Sequence, residues 1–282
     1  MSSLAIAALV LASAFLHALW NALIKRERDV RAATFAVLTV AVILSAVASL
    51  LRRSWFPTGA VLGCAVAAGI CEAGYFATLS RSLEVGPLGQ YYPVSRGGAL
   101  LIIWPVSMLW FGEHAGLSSF LGVVLVAAGL FAVGLPYRGL ASGGWRDRGL
   151  GWAIASAVFI AGYNLLYKEA LVLGSDPATL FATSVSIALV LNLAMMGSTR
   201  ANIAAILSRR PGPMFLGGGL CCLSFWLFLY CLERGGAGAM VTLRNSSVLF
   251  AQLFSWWLGE QPTVPRVSGA GAIAAGAILL AA

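Results

Sequence analysis

The sequence predicts an all-α membrane protein, with ten transmembrane helices arranged as two inverted five-helix repeats around a central cavity. Three observations predict it. The chain of 282 residues is 60% hydrophobic and only 10% charged, with a mean hydropathy of +0.90; soluble domains carry about 25% charged residues. Apolar runs follow one another at 3–24, 32–51, 58–82, 87–111, 117–136, 149–171, 177–197, 212–233, 237–258 and 264–282. Each is close to the roughly 20 residues that cross about 30 Å of hydrocarbon. The third observation is an internal repeat in which polar residues return at matching depth in the two halves.

The first run begins at the N-terminus without the positive segment that opens a signal peptide, so it is expected to stay as the first span. Most breaks between runs are only a few residues long. The two longest are Tyr137–Arg148 and Gly197–Pro211. The first is rich in Gly and Arg and is the natural midpoint. It divides the chain into a repeat over 1–137, a linker over 138–148 and a second repeat over 149–282. Within the second, Arg200 to Arg210 is expected to form a short interfacial helix.

The repeat can be followed residue by residue. Trp20-Asn21 through Lys25 answers Tyr163-Asn164 through Lys168, and Leu83-Glu84 answers Leu232-Glu233. Arg96 answers Arg244, Trp110-Phe111-Gly112-Glu113 answers Trp257-Leu258-Gly259-Glu260, and Gly122 and Gly129 answer Gly269 and Gly276. Five helices per half is an odd number, so the second half enters the membrane inverted. Secondary transporters use this plan, with the binding site near the midplane where the halves meet. Spans five and ten are rich in Gly and Ala and nearly free of polar side chains, so they are expected to lie away from a cavity lined by spans one, three, four, six, eight and nine.

Few polar residues sit inside the spans. Arg96 lies in the fourth, with Tyr92 one turn before it. Arg244 lies in the ninth, followed by Asn245, Ser246 and Ser247. Glu72 lies near the middle of the third, with Tyr75 one turn on and on the same face. The first and sixth contribute His17, Trp20, Asn21, Tyr163 and Asn164. Two arginines against one glutamate leave one buried positive charge without a partner, and such a charge is costly in hydrocarbon. A bound anion is its natural complement, and arginine holds a carboxylate through a planar fork. The candidate substrate-binding set is therefore Arg96, Arg244, Glu72, Tyr75, Tyr92, Trp20, Asn21, Tyr163, Asn164 and Asn245. An arginine would take the substrate carboxylate, Glu72 its ammonium or a coupling proton, and the aromatics an apolar or aromatic side chain.

Each residue also has a structural alternative. Glu72 would pair with an arginine, the arginines would snorkel to an interface, and His17 would be a hydrogen-bonded packing residue. Asn21 and Asn164 would bond across helices, while Trp104 and Trp110 would pack at an interface. Lys25 and Lys168 would mark the membrane surface.

Lys and Arg are uneven across the breaks, twelve after odd-numbered spans and four after even-numbered ones. The excess of positive charge on cytoplasmic loops then places both termini outside. The net charge of +8 follows this loop bias rather than nucleic-acid binding. The five cysteines lie in apolar runs and read as small packing residues. Two distant histidines and short loops supply neither a metal site nor a catalytic cluster, so neither an enzyme nor a cofactor is expected. The absence of a Gly-x-x-x-x-Gly-Lys-Ser/Thr run leaves a gradient as the energy source.

Tyr75-Phe76-Ala77, Glu84-x-Gly86-Pro87, Pro93-Val94, Gly112-Glu113, Leu121-Gly122 and Ala128-Gly129, answered by Gly259-Glu260 and Ser268-Gly269, resemble the drug/metabolite transporter superfamily. The resemblance is to its ten-helix EamA-type form and covers nearly the whole chain. Among members it is strongest to the YddG-type amino-acid exporters. It implies a multi-pass inner-membrane protein, here a monomer, that exports amino acids or related metabolites. A sugar phosphate or other organic anion is the alternative cargo. A channel or a lipid-modifying enzyme is the alternative class. The chain departs from the pattern at Val241-Thr242, where Pro93-Val94 has no counterpart proline, and in carrying the two arginines.

Overall fold

The computed structural model describes residues 2–24, 27–85, 88–114, 116–133, 148–195, 199–257 and 263–281. Most of the midpoint linker, Lys25, Gly86-Pro87 and Gly259-Glu260 lie outside them. Among the described residues the elements are all helices: α1 (Ser3–Ile24), α2 (Val30–Leu51), α3 (Gly59–Val85), α4 (Leu88–Phe111), α5 (Leu117–Val133), α6 (Arg148–Val172), α7 (Pro177–Met195), α8 (Thr199–Arg209), α9 (Pro211–Arg234), α10 (Ala237–Arg244), α11 (Ser247–Trp257) and α12 (Val264–Ala281). Seven of them, α1–α4, α6, α7 and α9, are long and apolar enough to cross a membrane; α5 and α12 are shorter apolar helices.

Local chemistry sets the boundaries. Asp29 caps α2 by accepting from the Ala32 amide at 2.9 Å. Asp176 caps α7 through the Ala178 and Thr179 amides at 2.9 and 3.1 Å, and Pro177 follows it at the first helical position, where a missing N–H costs nothing. Gly174, at φ 93°, ends α6 in the left-handed region that only glycine enters freely. As the break at 197–211 suggested, α8 is a short helix. It lies against α2 and α9 with Ile203 buried, and the flanking Arg210 pairs with Glu27 at 2.9 Å.

One expectation fails. The run 237–258 reads as a single helix, but the chain breaks it at Asn245-Ser246 into α10 and α11. The Ser246 amide bonds back three residues to Leu243 at 3.0 Å, and those of Val248 and Leu249 to Asn245 and Ser246 at 3.0 and 2.9 Å. Asn245, Ser246 and Ser247 favour the helix less than Ala does, and the backbone there takes the tighter three-residue pattern.

α1 packs on α9, α10 and α11, while α3 packs on α6 and α7. α2 lies on α7 and α9, α4 on α5, α6 and α10, and α5 on α12. Ser13 and Ser224 tie α1 to α9 reciprocally, each hydroxyl donating to the other's carbonyl at 2.7 and 3.0 Å. At the α5–α12 seam a Cβ on Gly129 would lie 2.5 Å from the Gly269 carbonyl, and one on Gly276 2.5 Å from that of Gly122. Glycine there lets two backbones touch, as in other membrane helix pairs. Exposed Leu, Val and Ile cover outward faces, among them Ile43, Leu44 and Val47 on α2 and Leu62, Val66 and Ile70 on α3. Hydrocarbon is the solvent that suits such faces.

Candidate functional site

Inside this apolar shell lies a buried polar centre drawn from both halves of the chain. Glu72 on α3 is 4% exposed, Arg96 on α4 6% and Arg244 at the end of α10 5%. Neither arginine snorkels outward. Glu72 forms no ion pair with either one; its Oε1 accepts from the Tyr167 hydroxyl of α6 at 2.7 Å. That hydroxyl is also 2.6 Å from the Ser184 hydroxyl of α7. A phenol has one proton, so with it directed at Glu72 the serine donates to the phenolic oxygen. Glu72 Oε2 has no hydrogen-bond partner.

Arg244 is held by rings. Its Cζ lies 4.3 Å from the centre of Phe225 and 4.1 Å from that of Phe228, both on α9. Cation–π attraction favours this placement, yet Nη1 and Nη2 are both buried without a hydrogen-bond partner. Electrostatic interaction links Arg244 to Arg96, Glu72, His17 and Tyr163. His17 stands edge-on to Trp20 at 5.4 Å and 6.1 Å from Phe225, and its Nδ1 and the Trp20 Nε1 are likewise buried without partners. Tyr75 lies 6.1 Å from Tyr163, which lies 5.6 Å from Tyr167, and the Arg96 Cζ is 6.0 Å from the Tyr75 ring.

The second half of the chain, residues 147–282, matches the model of the EamA-like transporter family. The chain carries an EamA transporter domain. This domain indicates a membrane transporter of the drug/metabolite type. Among solved structures, one titled only "Crystal structure of protein" matches with a TM-score of 0.71 over 99% of this chain and 96% of its own, at 17% identity; that likeness shows the fold alone. No curated protein matches the sequence.

Of the residues the sequence singled out, Glu72, Tyr75, Arg96, Tyr163, Arg244, Trp20 and His17 are buried and connected as described above. Asn245 is buried at the break, and the Tyr92 side chain lies outside the described residues. Asn21 and Asn164 do not bond across helices. Their amides donate one turn back along their own helices, to His17 and Ile160 carbonyls at 2.6 and 2.8 Å. Lys168 does not mark a surface: it is 8% exposed and its ammonium reaches the backbone carbonyls of Leu232 and Gly235. Sequence reasoning missed Phe225, Phe228, Tyr167 and Ser184. Only the one-turn spacing of Phe225 and Phe228 beside the repeat position of Glu72, Cys221, hinted at them.

Proposed function

We propose that this EamA protein is a secondary transporter that exports amino acids with apolar or aromatic side chains across the inner membrane by alternating access. The observation that carries the reading is the pair of unpartnered groups of opposite sign: Arg244 Nη1 and Nη2, and Glu72 Oε2. A zwitterion completes both. Its carboxylate bridges the guanidinium edge, with Arg96 as the second cation, and its ammonium meets Glu72. Trp20, Tyr75, Tyr163 and Phe225 offer faces for an apolar side chain. Buried arginine with an unmet fork is costly without an anion, so the charge balance favours substrates that bring a carboxylate. The two halves act as inverted repeats, 1–137 and 149–282, that rock about this shared centre, and the protein works as a monomer.

The test is uptake into proteoliposomes against a panel of amino acids, each compared with its carboxyl-blocked ester. The free acid is expected to be carried and the ester not. Arg244→Gln is expected to raise KM about 10- to 100-fold, the range of a lost hydrogen bond to a charged group. Arg96→Gln and Glu72→Gln are expected to weaken uptake as well. Normal transport by both arginine variants, with the ester carried as well as the acid, overturns the reading.

A further inference from the structure

A second polar cluster lies where α4, α6 and α9 end. Gly112, at φ 64°, closes α4, and Glu113 follows it. Glu113 Oε1 accepts from the Ala237 amide at 2.5 Å and Oε2 from the Gly238 amide at 3.3 Å. These are the first two residues of α10, where amides lack acceptors within the helix and negative charge is favoured. The N-cap residue of α10 is Gly236, which supplies no side-chain cap. A Cβ there would lie 2.8 Å from Glu113 Oε2, so glycine leaves the seat open for a carboxylate from the other half of the chain.

The connector before α10 is held from the other side. Lys168 of α6 donates to the carbonyls of Leu232 at 2.9 Å, Glu233 at 3.4 Å and Gly235 at 2.8 Å, and it interacts electrostatically with Glu113 and Glu233. Trp104 of α4 donates to the Thr242 hydroxyl at 3.0 Å, and Trp110 to Glu169 of α6 at 3.1 Å. Thus α4 and α6 together grip the start of α10. That helix has eight residues, about 12 Å at 1.5 Å each, and its last residue is Arg244. Gly235-Gly236 precedes it and the Asn245-Ser246 break follows it, so it is a short rod with a hinge at each end.

We propose that Glu113 is a positioning residue for Arg244. By capping α10 from the opposite half it sets where the rod sits, and with Lys168 it makes closure of this face and assembly of the anion site a single event. When the halves rock apart, the cap is released, α10 swings on its hinges and the guanidinium leaves the substrate carboxylate. This rests on the alternating-access reading above.

Two variants and two readouts test it. Glu113→Ala removes the cap; Glu113→Gln keeps a weaker, uncharged acceptor. Amide hydrogen exchange over 237–244, measured on the full-length protein in detergent, reads the cap without any substrate. It is expected to quicken at least tenfold in Glu113→Ala and less in Glu113→Gln, while exchange over α7 stays as in the wild type. In proteoliposomes the KM for the carried amino acid is expected to rise about tenfold in Glu113→Ala and by a smaller factor in Glu113→Gln. The maximal rate should change less than the KM. Unchanged exchange over 237–244 overturns the proposal, and so does a fall in maximal rate with KM untouched. If the wild-type protein carries no amino acid, the transport reading fails by itself and the exchange result still decides whether Glu113 holds α10.

Discussion

Burying a guanidinium costs several kcal/mol, and a desolvated cation–π contact returns about 2 kcal/mol. Two phenyl faces therefore hold Arg244 in place without satisfying it, because they leave its fork unbonded. Glu72 is better provided for on one oxygen, through Tyr167 and Ser184. Removing that donor should leave a buried acceptor short of a partner. Tyr167→Phe is expected to lower unfolding free energy by about 1–3 kcal/mol. In Glu72→Ala/Tyr167→Phe the losses should fall short of the sum of the singles, since each removes the same bond. Denaturation of the four proteins in one detergent checks this, and strict additivity would show that the bond contributes nothing. Arg244, Arg96 and Glu72 were legible in the sequence because a charge in an apolar run stands out. Phe225, Phe228 and Tyr167 were not, because membrane helices are full of aromatics and only contact geometry tells a site ring from a packing ring. Lys168 misled for a related reason: near a helix end, a lysine that reaches water and one that reaches carbonyls look the same.

At the scale of the helix, the informative departure is the break between α10 and α11. Hydropathy is blind to it, since 237–258 is apolar enough to read as one span, and the polar run after Arg244 reads equally well as cavity lining. Irregular backbone is tolerated in a membrane beside a polar centre, and the break follows directly on Arg244. Asn and Ser each favour the helix less than Ala does, by about half a kcal/mol. Asn245→Ala/Ser246→Ala is therefore expected to fuse α10 and α11 into a regular helix. Amide exchange over 245–249 should slow, and transport should fall at least tenfold with no loss of thermal stability. Full transport with slowed exchange would mean that the hinge plays no part in the cycle. The seam between α5 and α12 shows the opposite behaviour. Its glycines were visible as repeat positions, and the structure adds that they bring two backbones into close contact at Gly129 and Gly269.

Across the described residues, the main helix pairings are preserved when the halves are exchanged. α1 on α9 corresponds to α6 on α3, α2 on α9 to α7 on α3, and α1 on α10 and α11 to α6 on α4; α5 with α12 and α2 with α7 map onto themselves. The contact of Gly122 with Gly276 becomes that of Gly269 with Gly129. This pattern supports the inverted-repeat reading, and an inverted repeat fixes sidedness. α5 begins on the face where α4 ends, and α8 lies on the opposite one, beside the connection that leads into α2. The α8 face carries exposed Arg28, Arg31, Arg209 and Arg210, and Glu27 pairs with only the last of these. Excess positive charge of this kind holds a loop on the cytoplasmic side. Ser118 at the start of α5 and Ser208 in α8 are both exposed, whereas the native cysteines lie within the spans, buried or half-buried. Ser118→Cys is therefore expected to react with a membrane-impermeant maleimide added outside intact cells. Ser208→Cys is expected to react only after the membrane is opened. The reverse pattern would invert the orientation and turn the proposed exporter's Glu113 face toward the cytoplasm. Labelling of both from the same side would break the topology itself, because no odd-helix repeat can place the start of α5 and α8 on one face.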